Sequence, residues 1–248
     1  MSLNFATLSP RGLLVSGDGV ASDKENNILY KDMRKIFKIT DNLIIFIGGI
    51  AGSNLEVIEI IQNIEDKTVF DDIDVTETVL KDACKTVWER HKDKGFVQSW
   101  LLARDFGFID NEGNSGLPVA IPIALSCYYY DKSVQAYFYM GLSPENDFKP
   151  ETFNLTFGQT VIKGFKNKKA QSLLKKYRDE MSPVITVESE VNKFEKVYRD
   201  LETEDPSSIG GVTTYYLMGF NETKIIYQGG MSNGFNRTAY NFKPRRNA

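Results

Sequence analysis

The chain has 248 residues, with 30 basic and 33 acidic side chains, a net charge of −3 and one histidine. That length suits one domain or two, because α/β folds often run to ~250 residues as one, and 42% apolar with 25% charged residues is globular composition, not that of a disordered chain. The near-neutral balance argues against a nucleic-acid binder, no apolar run reaches the ~18 residues of a membrane span, and no charged-then-apolar leader is visible.

The chain opens with strands. Leu3–Leu8 and Leu13–Gly17 flank the turn Ser9-Pro10-Arg11-Gly12, which reads as a hairpin. Ile36–Ile39 alternates, Thr40-Asp41-Asn42 turns, and Leu43–Ile47 is continuously apolar, as in a strand buried on both faces. Gly48-Gly49-Ile50-Ala51-Gly52 ends it. Ser53 or Asn54 is then the expected cap of a helix carrying Leu55, Ile58, Ile61 and Ile64. A second helix is expected over Val75–Lys94, with Thr76 as N-cap and Val79, Leu80, Ala83, Val87 and Trp88 as its apolar stripe.

Strands return at Ile121–Tyr130 and Val134–Met140, around the turn Asp131-Lys132-Ser133, and one more is expected at Phe153–Phe157. Tyr128-Tyr129-Tyr130 reads as sheet packing. A helix is expected over Val161–Met181, stopped by Ser182-Pro183, and another over Val187–Leu201. Val212–Met218 and Lys224–Tyr227 close the order as strands around Asn221-Glu222. Strands interrupted by helix pairs fit two sheets face to face with helices outside both, in a single domain. Asp105–Leu117 and Gly141–Glu151 read as surface insertions, and Gly234–Ala248 as a loose basic tail.

The counts of rare residues direct the search for chemistry. Cys84 and Cys127 are too few for a disulfide scaffold, so a reducing cytoplasm is the expected compartment. His91 lies in the charged helix end Trp88–Lys94 and reads as a solvated surface residue. Its spacing to Cys84 and Cys127 matches no zinc motif, and no G-x-S-x-G elbow offers it a serine. No metal and no cofactor is expected. The glycine-rich run after Ile47 lacks both the Gly-Lys-Ser/Thr ending of a phosphate loop and the Gly-x-Gly-x-x-Gly pattern of a dinucleotide site. A hydrolase built on this chain needs a general base other than histidine.

Three features supply one. Ser2 follows a methionine whose removal would leave a free α-amino group on a hydroxyl residue. Gly17-Asp18-Gly19 ends the second strand, beside the chain's start. Lys35 precedes Ile36-Phe37, and Gly49 follows the next strand. Sixteen residues separate Ser2 from Asp18 and fourteen separate Lys35 from Gly49. Late in the chain, Asp205-Pro206-Ser207-Ser208-Ile209-Gly210-Gly211 precedes a strand. In this order and spacing the chain resembles the N-terminal-nucleophile hydrolases, specifically 20S proteasome β subunits and the bacterial HslV peptidase. The resemblance covers most of the chain and is dense in residues 2–55 and 203–219.

The resemblance implies a four-layer αββα sandwich and an α+β class. It implies a peptidase whose catalytic residues are Ser2, Asp18, Lys35, Gly49, Asp205 and Ser208. Ser2 would be the nucleophile and its own amine the base, with a reference pKa of ~7.7–8.0 that a nearby Lys35 ammonium lowers. Asp18 would hold Lys35, the Gly49 N–H would face the oxyanion, and Asp205 and Ser208 would orient the amine. Thr7 is a second possible nucleophile, reached only by further processing. The family's Gly-Ser-Gly turn before the third helix is missing: Gly158-Gln159-Thr160 stands in its place, with Ser143 in the loop before it. The family also implies a closed homo-oligomeric ring, a peptide or unfolded-protein substrate and an ATP-driven unfoldase as partner. A non-catalytic ring or scaffold subunit and a small-amide acylase remain alternatives on the same fold.

Overall fold

The structure, a computed structural model, describes residues 2–22, 27–105, 121–181 and 183–229. Most of the expected Asp105–Leu117 insertion, Ser182 and the expected tail lie outside them. The chain opens with β1 (Leu3–Ser9) and β2 (Gly12–Gly17), paired antiparallel across the Pro10 turn. A short hairpin of β3 (Ala21–Ser22) and β4 (Ile28–Tyr30), not expected from the sequence, precedes β5 (Ile36–Lys38) and β6 (Leu43–Gly48). Helices α1 (Ala51–Gln62), α2 (Ile73–His91) and α3 (Gly95–Asp105) follow. Strands β7 (Ala124–Asp131), β8 (Ala136–Leu142), β9 (Glu151–Leu155) and β10 (Thr160–Gly164) come next. Then come α4 (Asn167–Met181), α5 (Val187–Glu204), β11 (Thr213–Met218) and β12 (Thr223–Gly229).

These elements form two antiparallel five-stranded sheets, ordered β10-β1-β2-β11-β12 and β5-β6-β7-β8-β9, so the fold is mixed α and β. Alternation sorts each strand's side chains between two surroundings. In the first sheet, Leu3, Phe5, Leu14, Tyr215 and Leu217 pack with Ala170 and Leu174 of α4 and Phe194, Val197 and Leu201 of α5. In the second sheet, Leu43, Ile45, Ile47, Leu125 and Cys127 pack with Val57 and Ile61 of α1 and Leu80, Cys84 and Val87 of α2. The remaining faces meet each other: Ala6, Leu13, Val15 and Tyr216 from one sheet join Ile44, Phe46, Tyr128 and Tyr139 from the other. The tyrosine run is thus core packing, with Tyr128 and Tyr130 on one face and Tyr129 on the other.

Several expectations are corrected. The helix expected over Val161–Met181 is a strand followed by a helix. Val161 and Ile162 point to opposite faces as β10 pairs with β1, and α4 starts only at Asn167. Neither Ser53 nor Asn54 caps α1, which begins at Ala51 with no side-chain cap. Thr76 is buried inside α2. The cap is Asp72, whose carboxylate accepts from the N–H groups of Asp74 and Val75. α2 ends at His91, and α3 begins four residues later. Gly141–Glu151 is not a wholly exposed insertion. Gly141 and Leu142 end β8, and Pro144 and Phe148 are buried.

His91 is not solvated. It continues the α2 stripe Leu80, Cys84 and Val87, is 7% exposed, and places Nε2 2.7 Å from Glu56 Oε1 on α1.

Phe5 is fully buried, stacked on Phe194 at 4.7 Å and edge-on to Tyr198 at 5.1 Å. Phe5→Ala is expected to lower the unfolding free energy in urea by about 3–5 kcal/mol.

Candidate functional site

Asn4 pairs with Gly17, so the turn after β2 lies beside the start of β1. There the Asp18 N–H donates to the Leu3 carbonyl at 3.3 Å, and Asp18 Oδ1 accepts the Leu3 N–H at 2.9 Å. Its other oxygen, Oδ2, accepts from Lys35 Nζ at 2.8 Å, with the two side chains 0% and 3% exposed. Lys35 comes from the second sheet, where its carbonyl accepts the Ile47 N–H at 2.9 Å. One carboxylate thus joins a cation from one sheet to the backbone N–H of the residue after Ser2 in the other. Burial pushes the Lys35 ammonium below its usual pKa, and the adjacent Asp18 charge opposes that push.

Ser2 is buried, and its carbonyl accepts the Phe165 N–H at 2.8 Å. The turn that touches it on the way into α4 is therefore Gly164-Phe165-Lys166, not Gly158-Gln159-Thr160. Gln159 instead closes the turn between β9 and β10, its side chain accepting from the Thr156 N–H at 3.0 Å. Ser143 lies beyond β8, before a 3-10 turn. Thr7 is buried mid-strand, its hydroxyl 2.6 Å from that of Thr160.

Gly49 follows β6 with φ +67°, and a Cβ there would stand 2.0 Å from the Ile121 carbonyl oxygen, so only glycine fits the turn. Asn54 builds that turn. Its amide donates to the carbonyls of Gly48 and Ile50 at 2.6 and 2.7 Å, and its oxygen accepts the Ala124 N–H at 3.0 Å.

Asp205 closes α5, its N–H donating to the Leu201 carbonyl at 3.0 Å. Its carboxylate accepts from Ser207 Oγ at 3.0 Å and lies 3.2 Å from Lys166 Nζ. Burial pushes this carboxyl up, but the neighbouring Ser208 and Ser207 hydroxyls and Lys166 outweigh it, so its pKa sits below the usual value. Ser208 is buried beside this carboxylate, and among the described residues its hydroxyl meets no partner at ideal hydrogen-bond geometry. Two residues on, the Gly210 carbonyl accepts the Gly19 N–H at 3.0 Å. Gly211, at φ +70°, packs against the Lys31 carbonyl. The late segment therefore lies against the turn that carries Asp18.

Sequence reasoning missed Tyr198. It sits in the apolar stripe of α5, is buried, and donates its hydroxyl to the Leu3 carbonyl at 3.3 Å, 3.2 Å from Ser16 Oγ. Burial holds its phenol well above the usual pKa. The available signal was a tyrosine among Phe194, Val197 and Leu201, because a buried phenol needs a polar partner. Lys166 was missed as well.

A cavity of about 360 Å³ between α2, α3 and the Pro144–Phe148 turn is lined by Trp88, Leu101 and Phe148 among others, and by none of the candidate residues. Among the described residues, no group of three or more His, Cys, Asp or Glu is placed to hold a metal ion, and no helix is long and apolar enough to cross a membrane. No protein-family model matches the chain, and no curated protein matches it.

Breaking a buried pair leaves an uncompensated charge. Lys35→Met is therefore expected to cost about 3–5 kcal/mol of unfolding free energy. The double variant D18N/K35M is expected to cost less than the sum of the two single variants by at least about 1 kcal/mol, read from urea unfolding of all four proteins.

Proposed function

We propose that this chain is an N-terminal-nucleophile amidohydrolase, most directly a peptidase, on a four-layer αββα sandwich. The three apolar clusters, helices on sheet, sheet on sheet and sheet on helices, support that layering. The observation that carries the function is the buried Asp18 carboxylate bound at once to Lys35 and to the N–H after Ser2.

With the α-amine of Ser2 exposed, that amine takes the Ser2 hydroxyl proton as the oxygen attacks a substrate carbonyl carbon. The C–N bond breaks as the amine returns the proton to the leaving nitrogen, and water then hydrolyses the resulting ester. Lys35 makes protonation of the resting amine less favourable. Asp18 fixes Lys35 and the backbone at residue 3. The Gly49 N–H faces the developing oxyanion. By the same resemblance the chain works in the cytoplasm as a closed homo-oligomeric ring, on peptides or on proteins delivered by an ATP-driven unfoldase.

A specific observation favours a second reading, a non-catalytic ring subunit. The turn entering α4 is Gly164-Phe165-Lys166 and carries no serine, and Asp205 is already engaged by Lys166.

Intact mass and N-terminal sequencing of natively produced protein, with hydrolysis of a fluorogenic peptide panel, separate the two. The enzyme reading expects Ser2 at the N-terminus and turnover that falls at least ~10³-fold in Ser2→Ala and in Lys35→Ala. A retained Met1, or turnover indifferent to both substitutions, leaves the non-catalytic reading.

A further inference from the structure

We propose that Lys166 is a second cation that tunes the α-amine of Ser2, a positioning and electrostatic role for which the sequence offers no motif. The inference rests on the N-terminal-nucleophile reading.

A closed circuit of contacts surrounds residue 2. Its carbonyl is held by the Phe165 N–H. The next residue, Leu3, is held through both backbone groups by Asp18, whose neighbour Gly19 is held by the Gly210 carbonyl. The segment ending at Gly210 begins at Asp205, and Asp205 is bound by Lys166, the residue after Phe165. Lys166 and Asp205 are 23% and 26% exposed, so solvent screens their charges only in part.

The backbone is committed to this placement. Lys166 has φ +57°, a left-handed conformation rare for lysine, and its ammonium lies 5.6 Å from the centre of the Phe165 ring. The charged and titratable groups on the elements packed around residues 2 and 3 are Asp18 from the β2 end, Lys35 from before β5, Glu195, Tyr198 and Glu202 from α5, Asp205 from the α5 end, and Lys166 from the β10–α4 turn.

Two consequences follow from the charges. The Lys166 ammonium disfavours a proton on a nearby amine, and by pairing with Asp205 it weakens the opposite effect of that carboxylate. Both act in one direction, towards an amine that is free base at lower pH. Removing the lysine charge frees Asp205 to stabilise the protonated amine, so the amine pKa must rise.

The test uses the full chain beginning at Ser2, wild type, Lys166→Met and Lys166→Arg. The α-amine is titrated by competitive acetylation with limiting acetic anhydride across pH, read from the mass of the N-terminal peptide. Peptide hydrolysis is followed across the same pH range. In Lys166→Met the amine midpoint and the acid limb of kcat/KM are both expected to move up by about 0.5–1 pH unit. Lys166→Arg, which keeps the charge, stays with wild type. A purely structural link between α4 and α5 would leave the amine midpoint in place, and a midpoint unchanged in Lys166→Met overturns the inference. If wild type does not hydrolyse peptides while the midpoint still moves, the functional reading fails and the electrostatic role of Lys166 stands.

Discussion

The Lys35–Asp18 pair is the constraint around which the rest of the site is arranged. Taking two charges out of water costs several kcal/mol per ion, and their attraction repays this only when the geometry is good and the remaining lone pairs are satisfied. Here the second oxygen of Asp18 is satisfied by the Leu3 N–H. The carboxylate therefore cannot move without releasing β1, and Lys35 cannot move without stranding the carboxylate. A core of this size would tolerate an apolar replacement at both positions. A buried ion pair is weak evidence for stability, so its presence here is better explained by what it places beside residue 2.

The same pair couples the two sheets. Asp18 belongs to the end of β2 and Lys35 to the entry of β5, and between them lies the close-packed interface of Val15, Ile36 and Phe46. Gly17 has no Cβ because one would stand 2.8 Å from the Phe46 ring. Asn4 adds a polar tie across the interface by donating to the Tyr128 hydroxyl. The position of Ser2 is thus set from three sides: by β2 through Asp18, by α5 through Tyr198, and by the β10–α4 turn through Phe165.

What was legible in the sequence follows a physical line. The opening hairpin, the strand pair ending at Gly48 and the helix stripes were legible because each has a period that one face must bury. The proximity of Asp18 and Lys35 was legible only as an implication of the family resemblance, which rests on the order and spacing of the motifs. Residues that depend on partners distant in the chain were not. Val161–Gly164 carries apolar residues that extend a helical stripe, yet its backbone is claimed by the open edge of β1. His91 sits among Glu89, Arg90 and Lys92 and reads as solvent-facing, but helix geometry puts it over Val87 and against Glu56. Asn54 reads as a cap, and instead its amide organises the Gly49 turn. In each case a tertiary contact outweighed a local preference worth less than about 1 kcal/mol.

The second ion pair at the site obeys a different balance. Asp18 is fully buried, so removing Lys35 alone would leave its charge without a counterion. Asp205 and Lys166 are partly exposed, and a pair of that kind contributes about 0–1 kcal/mol. A left-handed backbone costs a residue such as lysine roughly 1–2 kcal/mol. The Lys166 contact therefore does not repay its own backbone, and stability does not account for it. Lys35 and Lys166 are each tethered to a carboxylate, Lys35 to the one that holds the Leu3 N–H, and Lys166 follows Phe165, whose N–H holds the Ser2 carbonyl. On the proposed N-terminal-nucleophile reading, in a chain whose one histidine is already engaged by Glu56, that arrangement would bring the Ser2 amine towards neutral pKa without any imidazole.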